Sequence, residues 1–247
     1  MTRTFDHLFL LGRPAGGKSE FIDFMKKVPG DVRAKRVHIG KVEEVDDFVW
    51  IWEKFVEDDL WERAGYPRLY SKNYMPGNPG MAPEGERLFR FCMHKFNDVI
   101  AEKYLSAPGF YDDHTLFIEF ARGRKNAFRD ALSTFKPEIL SRAAILFIFV
   151  TREESWRRNV ARYRENLKHS ILAHMVPKET FDHFYSDHDW LELTKNEQHG
   201  RIEAGGLKVP FVTMNNEPES TDSAVLSERY GSALEKLYEL YNEEGVR

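Results

Sequence analysis

His7-Leu-Phe-Leu-Leu-Gly12-Arg-Pro-Ala-Gly-Gly17-Lys18-Ser19-Glu-Phe-Ile-Asp-Phe-Met-Lys-Lys27 is the stretch that decides the fold. His7 to Leu11 reads as a short, fully buried strand that runs into the glycine-rich segment Gly12 to Gly17. Ser19 to Lys27 then reads as a helix, with Phe21, Ile22 and Met25 at helical spacing. Gly12 to Ser19 fits the pattern G-x-x-x-x-G-K-[ST], and phosphate chemistry needs that order. Glycines let the backbone wrap closely enough for its N–H groups to face phosphate oxygens, and the helix that follows adds the positive end of its dipole. Gly12, Ala15, Gly16, Gly17, Lys18 and Ser19 are therefore the candidate nucleotide-binding residues. Lys18 can reach the β- and γ-phosphates, and the Ser19 hydroxyl can ligate Mg²⁺.

Outward from this segment, further apolar runs suggest more strands: Arg36 to Ile39 ended by Gly40, Thr115 to Ala121, Ala143 to Val150, and Val209 to Met214. Continuous apolar strands separated by helical stretches point to a parallel sheet covered on both faces, here of about five strands with the glycine-rich loop after the first. Residues 41–110 carry two helix-like stretches, about Asp46 to Ala64 and Glu84 to Leu105. Between them Ser71 to Pro83 is a loop dense in Pro and Gly. Leu226 to Tyr241 has the spacing of an amphipathic helix.

The Gly12–Ser19 segment resembles the Walker A motif of P-loop nucleoside-triphosphate-binding proteins. That resemblance implies a three-layer α/β/α sandwich that binds a Mg²⁺–nucleotide. A GTPase of this superfamily carries N-K-x-D, which Thr194-Lys-Asn-Glu197 is not, and an ABC-type signature is missing too. Three features favour a kinase-like member. Glu119 lies among apolar neighbours near the end of a strand, a costly position unless it meets a cation or a hydrogen-bond donor, so with Ser19 it is a candidate metal ligand; pointing to the sheet edge or pairing with Arg122 is the alternative. After the strand ending at Val150, Arg157, Arg158, Arg162 and Arg164 could clamp a transferring phosphoryl group or form a solvated charged face. Glu43, Glu44, Asp46 and Asp47 follow the second strand, where one could accept an acceptor's hydroxyl proton and where Asp46 or Asp47 would also suit a helix N-cap. Trp50 suits either a stacking platform for substrate or the core, and Arg122 is a candidate contact for an anionic substrate.

Taken together the chain resembles the nucleoside and nucleotide kinases, most closely the deoxynucleoside-kinase-like branch. The residues carrying this are Gly12 to Ser19, Glu43 or Glu44 with Trp50, Glu119 with Arg122, and Arg157 to Arg164. Glu119-Phe-Ala-Arg122 departs from that branch's E-R-S, and Glu43-Glu-Val departs from its E-P. The resemblance implies a single domain over residues 1–247, with a helical acceptor-side insertion at about 41–110 and an Arg-rich lid at about 151–175. It also implies transfer from Mg²⁺–ATP to a small acceptor such as a nucleoside or nucleotide. Catalytic candidates are Lys18, Glu44, Asp46, Asp47, Arg158 and Arg162. The rival expectation is a regulatory nucleotide-binding protein or NTP hydrolase whose arginines read a macromolecular partner.

Composition narrows the partners. With 36 Lys+Arg against 40 Asp+Glu the chain is slightly acidic, which argues against a dedicated nucleic-acid binder. The single cysteine, Cys92, precludes an intramolecular disulfide and suits a reducing compartment. The longest apolar run, Ala143 to Val150, falls far short of the roughly 20 residues a membrane span needs. A cytoplasmic protein without a membrane or nucleic-acid partner is expected. His183 and Asp187 lie one helical turn apart, but the aromatics among them suit packing better than a metal.

Overall fold

The computed structural model describes residues 3–75, 78–165 and 174–243, with the backbone alone at Arg164 and Glu165. The elements run β1 (His7–Gly12), α1 (Lys18–Lys27), α2 (Gly30–Val37), β2 (Lys41–Asp46), α3 (Asp47–Arg63), β3 (Ser71–Met75), β4 (Asn78–Met81) and α4 (Glu86–Val99). A π-helical extension of α4 (Ile100–Leu105) precedes α5 (Phe110–Asp113), β5 (His114–Ala121), α6 (Ala127–Thr134), α7 (Pro137–Leu140) and β6 (Ala143–Phe149). The chain continues as α8 (Arg152–Glu165), α9 (Lys178–Phe184), α10 (Trp190–Leu193), β7 (His199–Ala204), β8 (Leu207–Asn215) and α11 (Ser223–Asn242).

Six strands form one sheet in the order β2-β5-β1-β6-β8-β7, parallel except for β7, which runs antiparallel to β8. The apolar strands are continuous because both faces are covered. Phe9 and Leu11 of β1, with Ile145 and Phe147 of β6, pack into the core under α3, α4 and α6. Leu8, Leu10, Leu146 and Ile148 alternate into a second core under α1 and α11. This is the expected α/β/α sandwich, with one strand more than the sequence pattern indicates.

One strand corrects the sequence reading. Arg36 and Val37 end helix α2, and the edge strand is Lys41–Asp46 instead of Arg36–Ile39. Exposure on one side lets β2 carry Lys41, Glu43 and Glu44, so it lacks the apolar signature of a central strand. Gly40 sits just before it because a Cβ there would lie 2.3 Å from the Asp113 carbonyl oxygen. The change matters for the site: three of the four acids predicted to follow the strand, Glu43, Glu44 and Asp46, lie within it, and Asp46 and Asp47 alone stand at its C-terminal end.

The helical region thus begins at Asp47, since residues 41–46 belong to the sheet. The stretch read as a Pro/Gly loop contains the antiparallel hairpin β3–β4. Buried Asp58 of α3 orders its entry, accepting hydrogen bonds from the amides of Leu69, Tyr70 and Ser71 and from the Ser71 hydroxyl. Of the expected lid, residues 166–173 lie outside the described residues, as does the side chain of Arg164. No helix among the described residues is long and apolar enough to cross a membrane.

Candidate active site

The loop between β1 and α1 lies at the C-terminal edge of the sheet, where ligands of parallel α/β folds collect. Two of its glycines are required by their surroundings. Gly12 has φ 152° and approaches the Ile148 carbonyl so closely that a Cβ would lie 2.5 Å from its oxygen. Gly17, the N-cap of α1, has φ 105°, and a Cβ there would meet Asn216 Nδ2 at 2.3 Å. Asn216, which follows β8, donates to the Gly16 carbonyl at 2.9 Å, and Ser155 Oγ of α8 donates to the Pro14 carbonyl at 2.7 Å. Groups distant in sequence therefore fix the loop from behind. Lys18 Nζ donates to the Arg13 carbonyl at 3.0 Å and stands 3.8 Å from Glu119 Oε1.

Facing the loop, three carboxylates share one pocket with Lys18 and Ser19: Asp46, Asp47 and Glu119. Backbone register brings them together, because Asp46 at the end of β2 is the lateral partner of Glu119 on β5, and Glu119 is the partner of Leu10 on β1. Asp46 also caps α3, Oδ1 accepting from the Phe48 amide at 2.8 Å. Asp47 Oδ2 lies 2.6 Å from Arg122 Nη2, both side chains being buried, as an ion pair without straight hydrogen-bond alignment. The Arg122 guanidinium stacks on the Phe89 ring at 4.4 Å.

Electrostatics follow from this crowding. Burial, with Glu119 and Asp47 close by, pushes the Asp46 carboxyl up to about 8. Burial also raises Glu119, opposed by Lys18, and raises Asp47, opposed by Arg122. His174 also lines the pocket. Its ring lies 5.7 Å from that of Phe48 and 4.9 Å from that of Trp52, its pKa is lowered to about 4 by burial, and its Nδ1 is buried without a hydrogen-bond partner.

No protein-family model matches the sequence, and no curated protein is significantly similar to it. Among solved structures the chain is similar to a sugar kinase from Janibacter sp. HTCC2649, at 12% identity and TM-score 0.41 over 96% of this chain and 98% of that one. It is similar also to a gluconokinase from Sinorhizobium meliloti 1021, at 9% identity and TM-score 0.43 over 98% and 99%. A chain of the Pnkp1/Rnl/Hen1 RNA repair complex matches at 17% identity and TM-score 0.35, over 79% of this chain and 47% of that one. At these values the likeness names neither an activity nor an acceptor for this chain.

The sequence candidates divide on this geometry. Ala15, Gly16, Gly17, Lys18, Ser19, Asp46, Asp47, Glu119, Arg122 and Arg162 line the pocket. Gly12 supports the loop from beneath. Glu44 is corrected: it points from the middle of β2 to Lys26, 3.1 Å away, and lies outside the lining, because the strand ends at Asp46, seven residues later than expected. Of the two readings of Trp50 the core one fits its placement and the substrate platform does not: its ring packs on Phe96 at 4.9 Å with Lys95 above it, next along α3 to the pocket-facing Ile51. Arg158 is buried behind the loop, where it donates to Glu154 Oε1 and to the Asn216 carbonyl, each at 2.7 Å, so it braces the loop and does not face the carboxylates. Arg162 reaches over α1 to Glu20 at 2.9 Å.

The residues missed by sequence reasoning are Asn216, His174, Tyr185 and Asn159, whose side-chain amide makes a paired contact with the backbone of Val176. Asn216 had a usable signal: it follows directly on the C-terminal end of a parallel strand. A divalent cation suits this pocket. Three carboxylates line the pocket with three cationic side chains, Lys18, Arg122 and Arg162, and no cluster of three metal-ligating side chains exists among the described residues. That donor set fits Mg²⁺, which keeps several waters and takes one or two protein oxygens plus phosphate. Ser19 and Glu119, both in the lining, are the groups that would hold it.

Proposed function

We propose that the protein transfers the γ-phosphoryl group of Mg²⁺–ATP to a hydroxyl of a small acceptor such as a nucleoside or nucleotide. The observation that carries this is the convergence of Asp46 and Asp47 with Lys18, Ser19 and Glu119 around one pocket, with acids on one side and the phosphate loop on the other. Lys18 and the loop amides hold the phosphates, while the Ser19 hydroxyl and Glu119 carboxylate hold the cation. Bound Mg²⁺ supplies neutralisation of the charge on the phosphates. Asp46 accepts the acceptor's hydroxyl proton in preference to Asp47, whose carboxylate is engaged by Arg122. A carboxyl raised to about 8 is a stronger proton acceptor, once ionised, than an ordinary aspartate.

Phe48, Ile51, Phe120, Val176 and Tyr185 give the acceptor side an apolar, largely aromatic wall, which favours an acceptor with a flat or apolar face. A second cavity of about 290 Å³ opens behind Ala15 and Gly17, between Arg158, Asn216 and Tyr230, and suits the nucleoside end of ATP. Arg162 borders both cavities and is the lid arginine positioned to reach the transferring group.

The test is ADP release from Mg²⁺–ATP across a panel of nucleosides, nucleoside monophosphates, sugars and small alcohols, with Lys18→Ala as control. Stimulation by one acceptor, abolished in the control, supports the reading and names the substrate class. Nucleotide binding without any acceptor-dependent rate overturns it and favours a regulatory NTPase.

A further inference from the structure

Arg122 also borders a cavity on its other side. This space measures about 520 Å³ and lies between α4 and the start of α6. Glu86, Phe89, Arg90 and Met93 recur every three or four residues along α4, so one helix face looks across to Ala127, Asp130 and Ala131 of α6. The floor is apolar, formed by Phe89, Met93, Ala131 and Phe184. The rim is cationic, with Arg87 and Arg90 from α4 facing Arg124 and Lys125 from the loop after β5.

These cations are only partly balanced. Arg124 pairs with Glu86 at 2.7 Å, and Asp130 is the other carboxylate in the lining. Arg87, Arg90 and Lys125 have no ion-pair partner among the described residues. A cationic surplus on one groove is notable in a chain with a net charge of −4. A wall of Arg122, Phe89 and the adjacent Phe184 and Tyr185 separates this groove from the phosphate loop: Phe184 lines the groove, and Tyr185 lines the catalytic pocket.

We propose that the groove is a second ligand site that takes a small organic phosphate. Its phosphate sits among Arg87, Arg90 and Lys125, and its organic part covers Phe89, Met93 and Phe184. An inorganic anion would leave the apolar floor bare, and a neutral apolar ligand would leave the cations unmatched. The site does not depend on the kinase reading, since none of its rim residues touches the nucleotide loop or the carboxylates.

The experiment titrates phenyl phosphate into the full chain saturated with Mg²⁺–ADP, so that the phosphate loop is filled, and reads heat by calorimetry. Wild type is expected to bind, the double variant R87A/R90A at least tenfold more weakly, and Lys125→Glu similarly. Phenol, with the same ring and no charge, is expected not to bind. Arg87 and Arg90 are exposed, so both variants should melt as wild type does and bind Mg²⁺–ADP unchanged. Equal binding by wild type and R87A/R90A overturns the proposal, as do no binding at millimolar concentration and displacement of ADP by the probe. Inorganic phosphate binding as tightly as phenyl phosphate overturns the role of the apolar floor. If ADP itself fails to bind, the nucleotide reading fails, and the R87A/R90A difference measured without nucleotide still decides the groove.

Discussion

Replacing Asp46 by asparagine should make the protein more stable and less active, with both effects set by one carboxyl. In the folded chain burial, Glu119 and Asp47 raise this group from 3.8 to about 8. Between those values the folded state keeps a proton that the unfolded state has lost. Stability therefore falls as pH rises from about 4 to about 8, then levels off. At about 1.36 kcal/mol per unit the full shift corresponds to roughly 6 kcal/mol, an upper bound because Glu119 and Asp47 share the charge and relax with it. About 2 kcal/mol is a reasonable expectation, or some 4–8 °C in melting temperature for a domain of this size.

Asparagine keeps the N-cap, since its side-chain oxygen can still accept from the Phe48 amide, so loss of helix α3 does not mask the effect. Calorimetric melting of wild type and D46N at pH 5 and pH 8.5 is the assay. The variant should exceed wild type by a smaller margin at pH 5 than at pH 8.5, and lose about a hundredfold or more in acceptor-dependent turnover. An equal difference in melting temperature at both pH values would refute the electrostatic argument. A pH-dependent gain with turnover intact would leave Asp46 as a strained acid with no part in the chemistry.

Four further substitutions separate supports from reacting groups. Gly17→Ala forces a side chain onto Asn216 at a positive φ, so it should cost about 1–3 kcal/mol by denaturant titration and abolish nucleotide binding. Arg158→Ala removes a buried brace on Glu154 and Asn216 and should destabilise by about 3 kcal/mol, whereas Arg162→Ala loses one partly exposed ion pair, should cost under about 1 kcal/mol, and should lower kcat; reversed effects would exchange their roles. Arg122→Met leaves Asp47 buried without its counter-ion, so about 3–5 kcal/mol of stability should be lost near neutral pH and partly regained in acid, where Asp47 is protonated; a loss independent of pH would mean that Arg122 acts by packing alone.

What the sequence made legible follows from burial. β1, β5, β6 and β8 stand out as apolar runs because both faces are covered, and the loop after β1 stands out because Gly12 and Gly17 are sterically required. The edge strands did not stand out. β2 is rich in charge along its open side, and His199-Gly-Arg-Ile-Glu-Ala204 of β7 carries one large apolar residue in six. Among the acids the local composition named the right group, but only the register of β2 against β5 separates Asp46, beside Glu119, from Glu44, two residues back along the strand. Arg158 and Arg162 look alike on a helical wheel. They differ because Asn216 meets one and Glu20 the other, and no local pattern reports contacts between residues so far apart in the chain.

The charge balance of the pocket ties these residues into one sequence of events in the proposed reaction. Asp46, Asp47 and Glu119 crowd around Lys18 and Arg122, and burial beside two further carboxyls raises the Asp46 pKa and so favours its protonated form. A protonated Asp46 cannot accept the acceptor's proton. A divalent cation held by Ser19 and Glu119 would add positive charge beside Asp46 and lower the cost of ionising it, so that Asp46 would serve as a base with the phosphoryl donor in position. Nearby Arg122 keeps Asp47 engaged throughout, which leaves one carboxylate to respond. The same pairing of two acids on adjacent strands that costs stability would thereby link the readiness of the proposed base to the presence of the group to be transferred.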